Sequence, residues 1–172
     1  MKRGTGCNYT SVSGVVVNRR GLILMIREHR RTHHGWKFPS GKAHVREPIF
    51  QAANRKVFEE TGINAEPKAV IAVRHKVATF TSGNGTLFFF CLMYANDEQV
   101  KEIREKPPKE FFDLWWFSRD ELRTLNPSQF FLHHREVFEV YDRWLESNGD
   151  SDLYYTMNNK SHISHMCLFS SV

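Results

Sequence analysis

Apolar residues along this chain recur with two different periods, and the switches between them mark out its elements. Ser13 to Val17 and Leu22 to Ile26 are short runs rich in Val, Ile and Leu, joined by Asn18-Arg19-Arg20-Gly21, so they predict a β-hairpin. Trp36 to Phe38 predicts a short strand closed by Pro39. The period then becomes helical. Pro48 suits a first helical position, Gly62 ends the run after Thr61, and Phe50, Ala53 and Val57 are spaced to face a core. Val70 to Val77, Thr86 to Tyr94 and Leu114 to Phe117 read as further strands. Ser118 and Glu121 form a capping-box pattern that opens a short helix. A last helix is expected from about Ser128 to Glu146, with Val137, Tyr141, Trp144 and Leu145 on one face, before Asn148-Gly149. The sum predicts an α/β (α+β) domain, a mixed β-sheet sandwiched between α-helices. Its expected bounds are an N-terminal extension over 1–10, a domain over 11–148 and a polar C-terminal tail over 149–172.

Composition narrows the class. At 172 residues the chain can bury a core without staples, and three widely spaced cysteines, Cys7, Cys91 and Cys167, suggest neither a disulfide framework nor a CxxC metal site. No stretch reaches the ~20 apolar residues of a bilayer span, and no secretion signal follows Met1. A soluble cytoplasmic protein is expected, with the nucleus as a second location and no membrane partner. Nothing in the pattern sets an oligomeric state. His162, His165 and Cys167 have a loosely metal-like spacing but no fourth ligand near them.

The net charge of +5 is concentrated. Between Arg19 and Arg46 lie eight Lys and Arg against one acid, Glu28, a local balance of +7 that would draw in a polyanion such as a polyphosphate or RNA. Within it Arg27, at a strand end, is the best candidate for a phosphate contact; Trp36, Lys37 and the pair His33-His34 are further candidates for touching substrate. The basic segment runs into the predicted helix, on which residues 56, 59 and 60 share one face. Glu59 and Glu60 can converge there on one hard cation, since Mg²⁺ takes oxygen ligands and commonly bridges one or two carboxylates to phosphates. A glutamate pair by itself is weak evidence, because such pairs more often only solubilise a helix.

The spacing is more specific. Gly41, Glu47, Arg55, Val57, Glu59, Glu60, Gly62 and Ile63 resemble the Nudix box, GX5EX7REUXEEXGU with U aliphatic, at eight of its nine specified positions; Lys56 stands where that family has glutamate. Gly35-Trp36-Lys37-Phe38-Pro39-Ser40-Gly41 resembles the family's W-x-x-P-G-G lead-in, with Ser40 replacing a glycine, and Leu114 to Leu122 resembles its late strand-to-helix turn. The resemblance spans about Ser11 to Leu145. It implies a Nudix fold and hydrolysis of the pyrophosphate in a nucleoside diphosphate linked to another group, with Mg²⁺ or Mn²⁺ and an activated water. By position, Glu59, Glu60 and the Gly41 carbonyl would bind metal, and Glu47 with Arg55 would brace the helix and its carboxylates. Capped RNA is a further candidate ligand.

Lys56 complicates that expectation. It changes the formal charge of residues 56, 59 and 60 from −3 to −1, and an ammonium paired with Glu60 would compete with the ion: opposite charges ~4 Å apart at an effective dielectric of ~20 interact by about 4 kcal/mol. Its long stem can instead carry the charge to a substrate phosphate, which makes Lys56 a substrate-binding candidate too. Glu105, Glu110 and Asp113 are candidates for a general base outside the box. The sequence therefore predicts a hydrolase of reduced or altered activity, with a catalytically inactive Nudix-fold module binding nucleotide, capped RNA or protein as the alternative. A proline or tyrosine about sixteen residues past the box, the family's markers for ADP-ribose and dinucleoside polyphosphates, is absent around Thr79.

Overall fold

The structure, a computed structural model, describes residues 9–28, 35–77, 84–95 and 112–147. Its centre is a six-stranded mixed sheet. Strands β1 (Tyr9–Asn18), β2 (Ile23–Glu28), β4 (Ala65–Lys76), β5 (Thr86–Ala95) and β6 (Phe112–Phe117) lie in the order β4-β5-β1-β2-β6, and the short β3 (Ser40–Lys42) pairs with the start of β1. β1 and β5 run parallel over ten residue pairs; the β1–β2, β4–β5 and β2–β6 pairings are antiparallel. The β1–β2 hairpin is closed by Asn18, whose side-chain oxygen accepts from the backbone N–H groups of Arg20 and Leu22. Helix α1 (Ile49–Thr61) covers one face, and the short α2 (Arg119–Thr124) and α3 (His134–Glu146) follow β6.

Alternation along the central strands builds two cores. Val12 and Val16 of β1, with Cys91 and Met93 of β5, meet Ala52, Ala53 and Val57 of α1. Val15 and Val17, with Phe90 and Leu92, turn the other way onto Val137, Phe138 and Tyr141 of α3. The expected sandwich of helices about a mixed sheet is therefore the fold observed. Gly14 lets α1 lie close to the sheet, because a Cβ there would press on the Val57 side chain and sit 2.9 Å from the Met93 sulfur. Gly14→Ala is expected to lower stability by about 1–3 kcal/mol through overpacking, read as a lower urea midpoint with an unchanged slope.

Four local expectations need correction. Phe50 does not face the core: it is 41% exposed, and the buried face of α1 is Ala52, Ala53, Val57 and Thr61. Small residues win that face because α1 approaches β1 too closely for a phenyl ring. Residues 36–38 form only isolated bridges, Lys37 with Ile26 and Trp36 with Phe130, rather than a strand. The last helix starts at His134, since Asn126 caps a separate 3-10 turn over Pro127–Gln129. β4 begins at Ala65, earlier than the apolar run, because its first residues pair with Tyr94 and Ala95. The capping box of Ser118 and Glu121 forms as expected at the start of α2. Helices α2 and α3 are tied by Asp142, whose carboxylate accepts from both Arg119 and Arg123.

Candidate active site

The spacing of the box becomes a site because β3 lays Gly41 against α1. β3 pairs antiparallel with residues Ser11 to Ser13 of β1, and the chain then turns through 43–48 into the helix. Arg46 takes a left-handed φ of 65° in this turn. The turn is held by one guanidinium. Arg55 donates to Glu47 Oε1 from Nε at 2.7 Å and to Oε2 from Nη2 at 2.6 Å, a bidentate pair, and reaches the Lys42 carbonyl at 3.2 Å. His44 N–H adds a third bond to Glu47 at 2.8 Å. Arg55 first and then this N–H hold the Glu47 carboxyl down at about 2. Glu47 and Arg55 are thus hydrogen-bonded to each other across this turn. Gly62 terminates α1 with a φ of 75°, a conformation in which glycine has no Cβ to clash, and its N–H closes on Phe58.

Glu59 and Glu60 emerge from the last turn of that braced helix. Both oxygens of Glu59 are engaged: Oε1 accepts from Arg55 Nη1 at 3.0 Å and Oε2 from Lys56 Nζ at 2.7 Å. Lys56 first, then Arg55, lowers the Glu59 pKa. Glu60 Oε2 accepts from Ser40 N–H at 2.8 Å, the backbone donor just ahead of Gly41. The expected pairing of Lys56 with Glu60 is therefore corrected: Lys56 pairs with Glu59, one turn away and beside it, while Glu60 is directed across to β3. The Lys56 stem lies over Gly41, where a Cβ would meet its Cδ at 2.5 Å and its Cε at 2.6 Å. Glycine at 41 is what leaves room for this lysine.

The other candidates fall in a second cluster, at the open end of β2. Arg27 lies opposite Asp113 in the β2–β6 register and donates to its Oδ2 from Nε at 2.9 Å and from Nη2 at 2.5 Å. Its guanidinium carbon sits 4.8 Å over the Trp36 ring, which itself packs edge-on against Phe117. Trp36 is thus a half-buried aromatic with Arg27 as its lid. Asp113, a candidate base, is that arginine's partner. Lys37 is 7% exposed and makes an ion pair with Glu28, so its charge is directed inward rather than presented to a ligand. Of the described cations in the basic segment, Arg27 gains a counter-charge from a distant strand, while Lys37 pairs with Glu28 of the same segment. Arg30, Arg31, His33, His34, Glu105, Glu110 and the tail residues His162, His165 and Cys167 lie outside the described residues.

Sequence reasoning missed His134. It is buried at the start of α3 among the rings of Phe38, Phe90 and Phe131, and its Nδ1 accepts from Phe38 N–H at 3.1 Å. Burial first, then the charges of Lys37, His133 and Arg74, pushes its pKa down to about 3. No spacing rule signals such a residue, because its partners come from three separate segments. Cys91, buried in the α1-side core with its thiol pushed up to about 12, is not a nucleophile.

The family follows from this geometry together with the box. The NUDIX domain profile matches residues 8–141, and the chain belongs to the Nudix family of hydrolases, which act on nucleoside diphosphate-linked substrates. Proteins named nucleoside diphosphate-linked moiety X motif 6 are 34% identical to it in both Xenopus laevis and Homo sapiens. The frog alignment covers 91% of this chain and 76% of that protein; the human one covers 83% and 48%, so the chain spans about half the length of that relative. An RNA pyrophosphohydrolase of Proteus mirabilis is 28% identical over 63% of this chain and 68% of its own. Among solved structures, the MutT protein from Methanosarcina mazei Go1 superposes with a TM-score of 0.62 at 20% identity, over 84% of this chain and 99% of that one, and shares the fold. Among the described residues no helix is long and apolar enough to cross a membrane, which says nothing of a β-barrel.

Proposed function

We propose that this chain hydrolyses the pyrophosphate linkage of a nucleoside diphosphate joined to another group, with Mg²⁺ or Mn²⁺ and at a rate held low by Lys56. The observation that carries this reading is the placement of Glu59 and Glu60 on one turn of a helix whose entry is locked by the Arg55–Glu47 pair and whose second carboxylate is aimed at β3. The donor chemistry fits a hard divalent ion, which takes one or two carboxylates and fills its remaining positions with water and substrate phosphate oxygens. Among the described residues no group of three or more His, Cys, Asp or Glu gathers at one point, so Glu59 and Glu60 are the carboxylates that those residues offer. Glu59, Glu60 and the Gly41 carbonyl would hold the ion. When bound, it supplies neutralisation of phosphate charge and a more acidic water.

The chain's own residues do the rest. Arg55 fixes the angle of Glu59 and, through Glu47, the turn that carries Gly41. Ser40 N–H fixes the rotamer of Glu60. Lys56 withholds part of Glu59 and leaves the site one carboxylate short of the box. Arg27, already aligned by Asp113 over Trp36, is the side chain outside the box best placed to meet a phosphate. The relative named for RNA pyrophosphate chemistry makes capped or triphosphorylated RNA one substrate class to try beside small nucleotides.

A panel of dinucleoside polyphosphates, nucleoside diphosphate sugars and capped RNA, each with Mg²⁺ and Mn²⁺, tests the reading. Nucleotide release is expected from at least one class, lost on chelation and abolished by Glu60→Gln. Tight ligand binding that ignores chelation, with no release from any substrate, would instead identify a catalytically inactive binding module.

A further inference from the structure

We infer that Lys56 is a built-in counter-ion of the carboxylate site: its ammonium holds the position of a divalent ion between α1 and β3, and such an ion binds only by displacing it. This rests on the hydrolase reading for the identity of the ion, but three observations carry the device itself. The ammonium is 2.7 Å from Glu59 Oε2, with Arg55 on the other oxygen, so each carboxylate oxygen already has a cationic partner without any metal. The methylene stem is laid over Gly41, at a spot that any side chain on residue 41 would fill. The Lys56 side chain is 22% exposed and that of Glu59 38%, so the pair is only partly screened by water.

The consequence is a site whose formal charge without an ion is −1 rather than the −3 of three carboxylates. Three like-charged carboxylates on this helix end would repel one another without a metal; here two remain, one of them paired with an internal cation. A divalent ion must then break the Lys56–Glu59 pair and release the ammonium, whose unbranched stem lets it swing to solvent or to a substrate phosphate. Weak metal affinity is therefore a property of position 56 rather than of the carboxylates.

Mn²⁺ titrations of the full chain, followed by the electron paramagnetic resonance of the free ion, separate the cases. Lys56→Met keeps the stem and deletes the charge, while Lys56→Arg keeps the charge; circular dichroism melts without metal establish that each is folded, with Lys56→Gln in reserve should the methionine variant fail to fold. Lys56→Met is expected to bind Mn²⁺ about tenfold more tightly or better, a size typical of changes at groups that hold a metal ligand, and Lys56→Arg to bind as weakly as the parent. Equal Mn²⁺ affinity in the parent and Lys56→Met overturns the inference, as does an absence of binding in both. Tightened Mn²⁺ binding in a chain that hydrolyses no substrate would leave the counter-ion standing and remove the hydrolase reading; turnover by the parent with unaltered affinity in Lys56→Met would do the reverse.

Discussion

Replacing Lys56 with glutamate is expected to raise turnover by about a hundredfold, the lower end of what a positioned acid or base contributes. The substitution deletes the cation that now pairs with Glu59 Oε2 and restores a third carboxylate on the face shared by residues 56, 59 and 60. The Arg55–Glu47 brace is untouched, since neither partner contacts the ammonium. The gain should depend on Glu60: adding Glu60→Gln, which keeps the side chain's shape and its acceptor for Ser40 N–H, should return turnover to background. Steady-state kinetics of the single and double variants, with Mn²⁺ affinity measured alongside, provide the check. A fall in turnover at unchanged metal affinity would mean that Lys56 contacts the substrate phosphate instead, where a carboxylate repels it.

The second large effect is on stability at acid pH and arises at His134. Its native pKa, about 3, lies below the ordinary value of 6.5, so the neutral ring is the form the fold selects. Above 6.5 native and unfolded chains both carry a neutral ring, and the group adds nothing to the pH dependence. As pH falls from 6.5 towards 3 the unfolded chain takes up a proton that the native chain refuses, and stability is lost at about 1.4 kcal/mol per pH unit, roughly 4 kcal/mol over the window. Depressed carboxylates such as Glu47 and Glu59 act in the same direction at lower pH, so the parent profile alone does not isolate the histidine. His134→Asn retains an acceptor for Phe38 N–H and cannot titrate. Urea denaturation between pH 7 and 4 is expected to give the parent a slope steeper by one proton than that of the asparagine variant. Parallel slopes would show that the buried ring opens to solvent before it titrates.

The two experiments probe opposite faces of the sheet, the carboxylates on the α1 side and His134 on the α3 side. The faces meet in one short segment, since His134 accepts from Phe38 N–H and Glu60 from Ser40 N–H two residues on, so a double variant also measures the coupling between them.

Much of this was present in the linear order of residues because it depends on local spacing. The eight box positions are within 23 residues of one another, and a helix of 3.6 residues per turn converts that spacing directly into a braced pair of carboxylates, with Gly62 as its stop. The alternation of Val12, Val15, Val16 and Val17, and of the β5 apolar run, similarly determines a sheet covered on both faces. The departure at Lys56 was legible as a loss of charge.

Tertiary structure decided where each charge went. Lys56 chose Glu59 over Glu60 because β3 brings the Ser40 N–H to Glu60 and opens the Gly41 surface to the lysine stem, two contacts made across 15 to 20 residues of sequence. Arg27 met Asp113, 86 positions away, and Lys37 met Glu28 under the aromatic cover of Phe131, so the fold decided which cations of the basic segment are paired. Phe50 is 41% exposed, while Ala52, Ala53, Val57 and Thr61 take the buried face of α1, where Gly14 lets Val57 approach β1. His134 gained its neutral ring from Phe38, Phe90 and Phe131, which only folding assembles. Local periodicity is a property of the chain's own geometry, whereas ion pairing and burial depend on which distant segments arrive, and that is settled by packing.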